Sequence, residues 1–412
     1  MYLTISKKFE ISLSYRWWQK DWPAQRNRAF YGPAAGGPHG YGANASVHFV
    51  FHGPVDPENG MVINVAEVKE RVGGMLAARY DHRYLNVDTR PFDEVVPTPE
   101  NIARQLWADA QPLFGDAGAG LAAVHLEMSP LDSATAYADG RVERGYGLEF
   151  SAARRTWSPR LTEEENTRLF GAAASPSGHG HCYYLRATAA GEPDRESGMI
   201  VAPETSGKAL AAVFQLLDHR NLVTDVPELA GRPLTTESLS GFLFARLANR
   251  MPLARMRLWE NPYFYTDCLP TGVYVMGVRA DFRAAHRLAS PRYSREENER
   301  TYGKCTNAAG HGHRYVVEAA IDGYLDEASG ALYPLEDLTR GVRTAVAPWD
   351  YVHLDEDTDE FAERPSTGEN IVSALWPKVE DALGRPLYRL RLWETPNNRF
   401  TLRRETPGGA GR

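Results

Sequence analysis

The chain has 412 residues, 43% hydrophobic and 24% charged, which excludes a disordered, collagen-like or fibrous protein and suggests two or three globular domains. The 46 Lys and Arg residues against 53 Asp and Glu leave a net charge of -7, the wrong sign for a protein that neutralises phosphate backbones or anionic membranes, so neither partner is expected. Three cysteines, Cys182, Cys268 and Cys305, do not make a disulfide framework, and a reducing, cytoplasmic location is expected.

The N-terminal stretch to Trp18 alternates polar and apolar residues and reads as a strand, not a signal peptide. The longest nearly apolar run, Leu210 to Leu217 between Lys208 and Asp218, is far short of the roughly 20 residues of a membrane span. Compared with itself, the chain repeats three times. His39-Gly40-Tyr41 recurs as His179-Gly180-His181 and His311-Gly312-His313. Gly60-Met61-Val62 recurs as Gly198-Met199-Ile200 and Gly330-Ala331-Leu332, and Asp81-His82 as Asp218-His219 and Asp350-Tyr351. Thr98-Pro99-Glu100, Thr235-Thr236-Glu237 and Ser366-Thr367-Gly368-Glu369 open three helices as caps with a carboxylate near the positive dipole end. Leu126-Glu127, Trp259-Glu260 and Trp393-Glu394 close the units.

Each unit reads as strand, long loop, strand, tight turn, strand, helix, helix, strand. Turn signals at Asp139-Gly140 and Pro270-Thr271-Gly272 divide the chain into units 1–140, 141–272 and 273–405, with a disordered tail at 406–412.

His311 and His313, two apart on a strand, face the same side, and His286 on the opening strand completes an open three-ligand set suited to a catalytic zinc. A His-x-His pair alone is more often merely hydrogen-bonded, but the repeats sharpen it: unit one has Tyr15 and unit two Arg154 in place of His286, and a guanidinium repels a dication. Cys305 stands where the other units have Pro33 and Ala173. Beside a dication its thiolate would be stabilised. Its proton partner is expected from Asp81-His82 or Asp218-His219, since Tyr351 breaks the pair in unit three. If the units pack in a ring, a site at a junction draws the metal set and thiol from one unit and the Asp-His pair from its neighbour. A carboxylate at Glu127, Glu260 or Glu394 could accept two N–H bonds from the guanidine-like edge of a pterin or purine, Glu394 being the strongest candidate.

The chain resembles the 6-pyruvoyl-tetrahydropterin synthase family, which includes the 6-carboxy-tetrahydropterin synthases. The resemblance is most specific at Ala284-Ala285-His286-Arg287-Leu288, Ser294 to Asn298, Gly303-Lys304-Cys305-Thr306-Asn307 and Gly310 to Tyr315. It implies an α+β tunnelling fold: four antiparallel strands and two helices per unit, with three units closing a twelve-stranded barrel. The chain would be a covalent trimer, alone or stacked as a homodimer. By position, the resemblance implies Zn2+ on His286, His311 and His313, a catalytic Cys305, and substrate contacts at Glu394, Glu369 and Thr367, with Glu127 and Glu260 as counterparts. It assigns the triad Asp and His to Asp81-His82 and Asp218-His219. The implied reaction converts 7,8-dihydroneopterin triphosphate to 6-pyruvoyl-tetrahydropterin with loss of triphosphate and no redox cofactor. The five-residue gap between Cys305 and His311 favours the pyruvoyl-forming type. A carboxy-forming enzyme, a repurposed pterin enzyme and an inactive pterin-binding protein are the alternatives. The loop with Trp17, Trp18 and Trp22 has two readings, a pocket cap or packing on the barrel.

Overall fold

The computed structural model describes residues 1–115 and 118–404, so the tail at 406–412 lies outside the described residues. The alternating N-terminal segment forms β1 (Tyr2–Tyr15), followed by β2 (Tyr41–His52), β3 (Gly120–Ser129) and β4 (Asp132–Tyr137). Unit two supplies β5 (Val142–Arg154), β6 (His179–Ala190), β7 (Leu253–Asn261) and β8 (Phe264–Cys268), and unit three β9 (Tyr274–His286), β10 (His311–Gly323), β11 (Arg389–Thr395) and β12 (Asn398–Arg403). Each strand pairs antiparallel with its neighbours in the chain, and β12 returns to β1, closing a twelve-stranded barrel without free edges.

Each unit carries one eight-residue and two longer helices, besides the four-residue helical turns Leu85–Asp88 and Leu354–Asp357 of units one and three. The eight-residue and longer helices are α1 (Ala24–Tyr31), α2 (Val65–Arg79) and α3 (Pro99–Ala110), then α4 (Glu163–Phe170), α5 (Pro203–Leu217) and α6 (Thr236–Ala248), then α7 (Arg295–Tyr302), α8 (Leu335–Val346) and α9 (Gly368–Leu383). Among the described residues no helix is long and apolar enough to cross a membrane.

The element order differs from the expected one. After the second strand of each unit the chain turns through Gly60, Gly198 or Gly330, each with positive φ, and enters the first long helix directly; a third strand follows only after that helix, as the two-residue Arg83–Tyr84, Arg220–Asn221 or Val352–His353 parallel to the unit's first strand. The fourth strand is instead the hairpin partner of the closing strand, so Asp139-Gly140 and Pro270-Thr271-Gly272 lie in turns between consecutive units.

Strand alternation separates two environments. Val317, Ala319 and Ile321 of β10 lie under the helices with Leu338, Val342, Ile371 and Leu375 in the main core. Glu318, between them, faces the lumen, where Arg279, Arg389 and Arg391 contact its carboxylate and hold it well below the usual carboxylate range against the opposing effect of burial. A carboxylate there without those guanidiniums would be an uncompensated buried charge. Arg257 and Asp267 pair in the same way, at 2.5 and 2.7 Å.

Threonine caps begin the last helix of each unit as expected: the Thr98, Thr235 and Thr367 hydroxyls accept from the backbone N–H of Asn101, Ser238 and Asn370. The same hydroxyls also cross to a neighbour. Thr367 donates to the Gly60 carbonyl (2.7 Å), Thr98 to that of Gly198 (2.6 Å) and Thr235 to that of Gly330 (2.6 Å). Two residues on, Glu369 accepts from Val62 N–H, Glu100 from Ile200 N–H and Glu237 from Leu332 N–H. Unit one therefore docks on unit three, unit two on unit one and unit three on unit two.

Two glycines give opposite expected responses. Gly74 is exposed inside α2 with nothing within 4 Å of an added Cβ, whereas a Cβ on buried Gly368 would stand 2.1 Å from the Phe400 ring. Gly74→Ala should stabilise by about 0.5–1 kcal/mol and Gly368→Ala destabilise by about 1–3 kcal/mol, read from urea denaturation midpoints.

Candidate active site at a seam between units

At the seam of units three and one, three imidazoles converge. His286 ends β9 opposite His311 in the strand register, and His313 lies two residues along β10 on the same face. Their ring centroids are 4.6, 4.9 and 5.1 Å apart, and one nitrogen from each lies within 4.8 Å of the others. His286 is wholly buried. Its Nδ1–H donates to the Ser366 carbonyl at 3.0 Å, which fixes the tautomer and turns the lone pair of Nε2 towards His311 Nε2, 3.2 Å away. His313 Nε2 is buried without a hydrogen-bond partner among the described residues. An orphaned nitrogen beside two facing imidazole nitrogens is what an open three-ligand metal set presents, and the donor set fits a divalent ion. Burial lowers the pKa of all three imidazoles and so favours the neutral, ligating form.

Glu394 closes this set. Its Oε1 lies 3.7 Å from His286 Nε2 and 4.0 Å from His313 Nε2. Cys305, on the 3-10 turn after α7, is half-buried; burial raises its thiol above the ordinary value, Glu394 adds to the effect and Lys304 opposes it. Glu369 lies beneath, fully buried and pushed up to about 8 by burial, which outweighs the Val62 N–H bond.

The three Asp-led pairs occupy equivalent corners. Asp81, Asp218 and Asp350 accept from the backbone N–H of Ser12, Ser151 and Arg283. The next residue, His82, His219 or Tyr351, takes a left-handed φ of 55 to 63°, a conformation uncommon outside glycine. Asp81 Oδ2 stands 3.0 Å from His82 Nδ1, and Asp218 Oδ2 2.6 Å from His219 Nδ1; both imidazoles are exposed. Each pair hangs on its unit's first strand. That strand borders unit three for Asp81-His82 (β1 on β12), unit one for Asp218-His219 (β5 on β4) and unit two for Asp350-Tyr351 (β9 on β8). The unit-one turn docked on Thr367 and Glu369, and Glu394 on β11 next to β12, put the imidazole set at the seam of units three and one, the seam that Asp81-His82 also borders.

The strand register revises three sequence-based equivalences. Tyr41, not His39, is the counterpart of His179 and His311, because Tyr15 pairs with Tyr41 as Arg154 does with His179 and His286 with His311. Gly40 thus matches Gly178 and Gly310, which share its positive φ. Ala34, not Pro33, matches Cys305 and Ala173: its carbonyl accepts from Trp17 N–H as theirs do from Leu288 and Thr156. Glu127 pairs opposite Ser46 and so matches Trp259 and Trp393, leaving Met128 as the counterpart of Glu260 and Glu394. Glu127 faces the lumen, where His125 and Arg186 contact it and hold it ionised against burial.

The other seams differ. Between units one and two, the Tyr15 and Tyr41 rings lie 4.5 Å apart and Met128 is buried. Trp22 and Tyr31 pack with Met199 of unit two, which decides the Trp-rich loop for packing. Between units two and three, Glu260 is held by Arg154 at 2.5 Å and by the Thr236 hydroxyl.

Because the folded pKa of Glu369 lies above its ordinary 4.5, its contribution to stability is complete below about 4.5 and is lost as pH rises through about 8. Glu369→Gln should flatten that loss, removing on the order of 2–4 kcal/mol of the fall in unfolding free energy between pH 5 and 9, measured by urea titration at each pH.

A family model described as 6-pyruvoyl tetrahydropterin synthase matches the chain three times, over residues 4–139, 147–269 and 276–405. Among similar proteins, the Drosophila melanogaster 6-pyruvoyl tetrahydrobiopterin synthase is 37% identical over 132 residues, 31% of this chain and 79% of that protein. The Homo sapiens 6-pyruvoyl tetrahydrobiopterin synthase is 39% identical over 122 residues, 29% and 84%. A solved Caenorhabditis elegans 6-pyruvoyl tetrahydropterin synthase has 36% identity and a TM-score of 0.32, covering 32% of this chain and 96% of that one. With the family model matching nearly end to end in three tandem copies, the chain belongs to the 6-pyruvoyl tetrahydropterin synthase family.

Proposed function

We propose that the chain is a zinc-dependent lyase that converts 7,8-dihydroneopterin triphosphate to 6-pyruvoyl-tetrahydropterin with elimination of triphosphate, at one site per chain, the seam of units three and one. The observation that carries this reading is the convergence there of three imidazole nitrogens and Glu394, with Cys305 within electrostatic reach of Glu394, on the seam whose bordering strand holds Asp81-His82 through Ser12. His286, His311 and His313 would hold the ion, whose Lewis acidity polarises the side-chain oxygens of the substrate.

The remaining roles fall to the chain's own groups. Glu394 accepts the paired N–H groups of the pterin edge, a charge-assisted bidentate contact that orients the ring. Cys305 takes protons from the side-chain carbons once ionised, and His82, oriented by Asp81, exchanges protons with it. Thr367 and Glu369 position the unit-one turn at Gly60 to Val62 over the site. Unit two has Ala173 for the thiol and Arg154 for a ligand, and unit one has Tyr15, Tyr41, Ala34 and Met128, so neither builds a metal and thiol set of its own, and unit one contributes Asp81-His82.

Purified protein should contain about one zinc per chain, lost in His311→Ala and released as pH falls below the ordinary imidazole range of about 6.5. Elemental analysis at stepped pH measures this, and a metal-replete protein without zinc refutes the reading. Turnover assigns the triad: Cys305→Ala and His82→Ala should lower kcat by about 10²–10⁴-fold while His219→Ala stays near wild type. Equal losses in His82→Ala and His219→Ala would refute the assignment to this seam. Pterin binding without turnover would favour a protein that binds and does not catalyse.

A further inference from the structure

The seam of units one and two shows how this fold closes a site that holds nothing. Tyr15, Tyr41 and Met128 fill the place of the metal set with apolar surface, and buried Glu100 is matched by Arg144, which also pairs with Asp132. The seam of units two and three is not closed in that way. It keeps Thr236, Glu237, Glu260, His179 and His181, and puts Arg154 at the register position of His286.

Arg154 is 2% exposed. Its Nη2 donates to the Thr236 hydroxyl at 2.7 Å and to Glu260 at 2.5 Å. Nε and Nη1 are buried without a hydrogen-bond partner among the described residues, as is His179 Nδ1. Each unmet buried donor costs about 1–3 kcal/mol, so an ion pair serving packing alone would leave this guanidinium poorly satisfied. Glu260 is the engaged partner: it accepts from Arg154 and Thr236, and its other oxygen lies 3.3 Å from His181 Nε2. It is not free to grip the guanidine-like edge of a pterin as Glu394 is. What remains unused is donor capacity on a planar cation, with His179 and His181 only partly buried beside it. Planar, multidentate donors suit carboxylate and phosphate oxygens.

We propose that the second seam is a metal-free binding site for an oxyanion, a carboxylate or phosphate group, in which Arg154 takes the place of the metal ion and His179 and His181 form the mouth. Ala173 and Tyr351 replace the thiol and the imidazole, so the site binds without performing chemistry. It is independent of the reading of the seam of units three and one, because its groups come from β5, β6, β7 and α6, none of which contributes to the metal set.

The test is isothermal titration of the full-length, zinc-loaded chain and of its His311→Ala variant with inorganic phosphate, inorganic triphosphate and benzoate. Expected is one saturable site per chain for at least one of them, unchanged in His311→Ala, weakened at least tenfold in Arg154→Gln and less in Arg154→Lys. Preference for phosphate or for benzoate identifies the source of the oxyanion. Absence of saturable binding at millimolar concentrations, or equal binding in Arg154→Gln, overturns the proposal. Arg154→His gives a second readout should the glutamine variant not fold. By completing an imidazole trio with His179 and His181 it should raise metal content to two per chain and abolish the anion site, and a content of one overturns the placement of Arg154 in the ion's position.

Discussion

A threonine and a glutamate at the start of the last helix of each unit hold the ring together and set its direction. The threonine caps its own helix and donates to a glycine carbonyl of the next unit, while the glutamate accepts the backbone N–H two residues beyond that glycine. The docked turns need left-handed glycines. At Gly60 an added Cβ would lie 2.6 Å from the Asn370 amide, and at Gly330 2.5 Å from Pro233. Because the turn from one unit covers the helix start of another, every candidate site is composite, and its two halves follow from ring order.

Ring order also sorts the sequence losses. Tyr351 looks damaging when read within unit three, which alone has the metal set. In the ring, Tyr351 borders unit two, where Arg154 and Ala173 have already removed the ligand and thiol. The intact Asp218-His219 pair borders unit one, whose pocket is filled by Tyr15, Tyr41 and Met128. The aspartates persist in all three units for a backbone reason: each ties the left-handed corner to the first strand. Only the second residue of the pair varies with the chemistry of its seam.

The His286, His311 and His313 set was legible from spacing on strands, because period-two alternation fixes the face and the repeats fix the partner strand. The threefold barrel followed from the repeats and the family resemblance. Errors arose where a local feature shifts the register. His39-Gly40-Tyr41 resembles His311-Gly312-His313 in letters, yet Gly40 does the work of Gly310, a left-handed entry to the strand and not a residue within it. The misreading of Glu127 has a similar origin: a bulge interrupts pairing between Glu127 and Ser129, as one does between Trp393 and Thr395, and bulges carry no sequence signature strong enough to set which face a carboxylate takes. The order of strands was misread because the glycine turn looks like a hairpin until its docking partner on the neighbouring unit is known.

Covalent fusion explains why such asymmetry is physically available. In a ring of three identical chains any substitution appears at every seam, so an arginine in place of a metal ligand would remove all the sites together. In one chain the seams are separate, and closing the barrel incurs no loss of translational freedom between subunits. One seam can then keep a three-imidazole constellation, a second can carry a guanidinium at the register position of an imidazole, and a third can fill its pocket with packing surface that adds to the core. The lumen tolerates the same divergence. Glu318 meets three guanidiniums where Arg186, at the equivalent register position in unit two, meets Glu127 instead, so charge balance inside the barrel is achieved between units that are no longer alike.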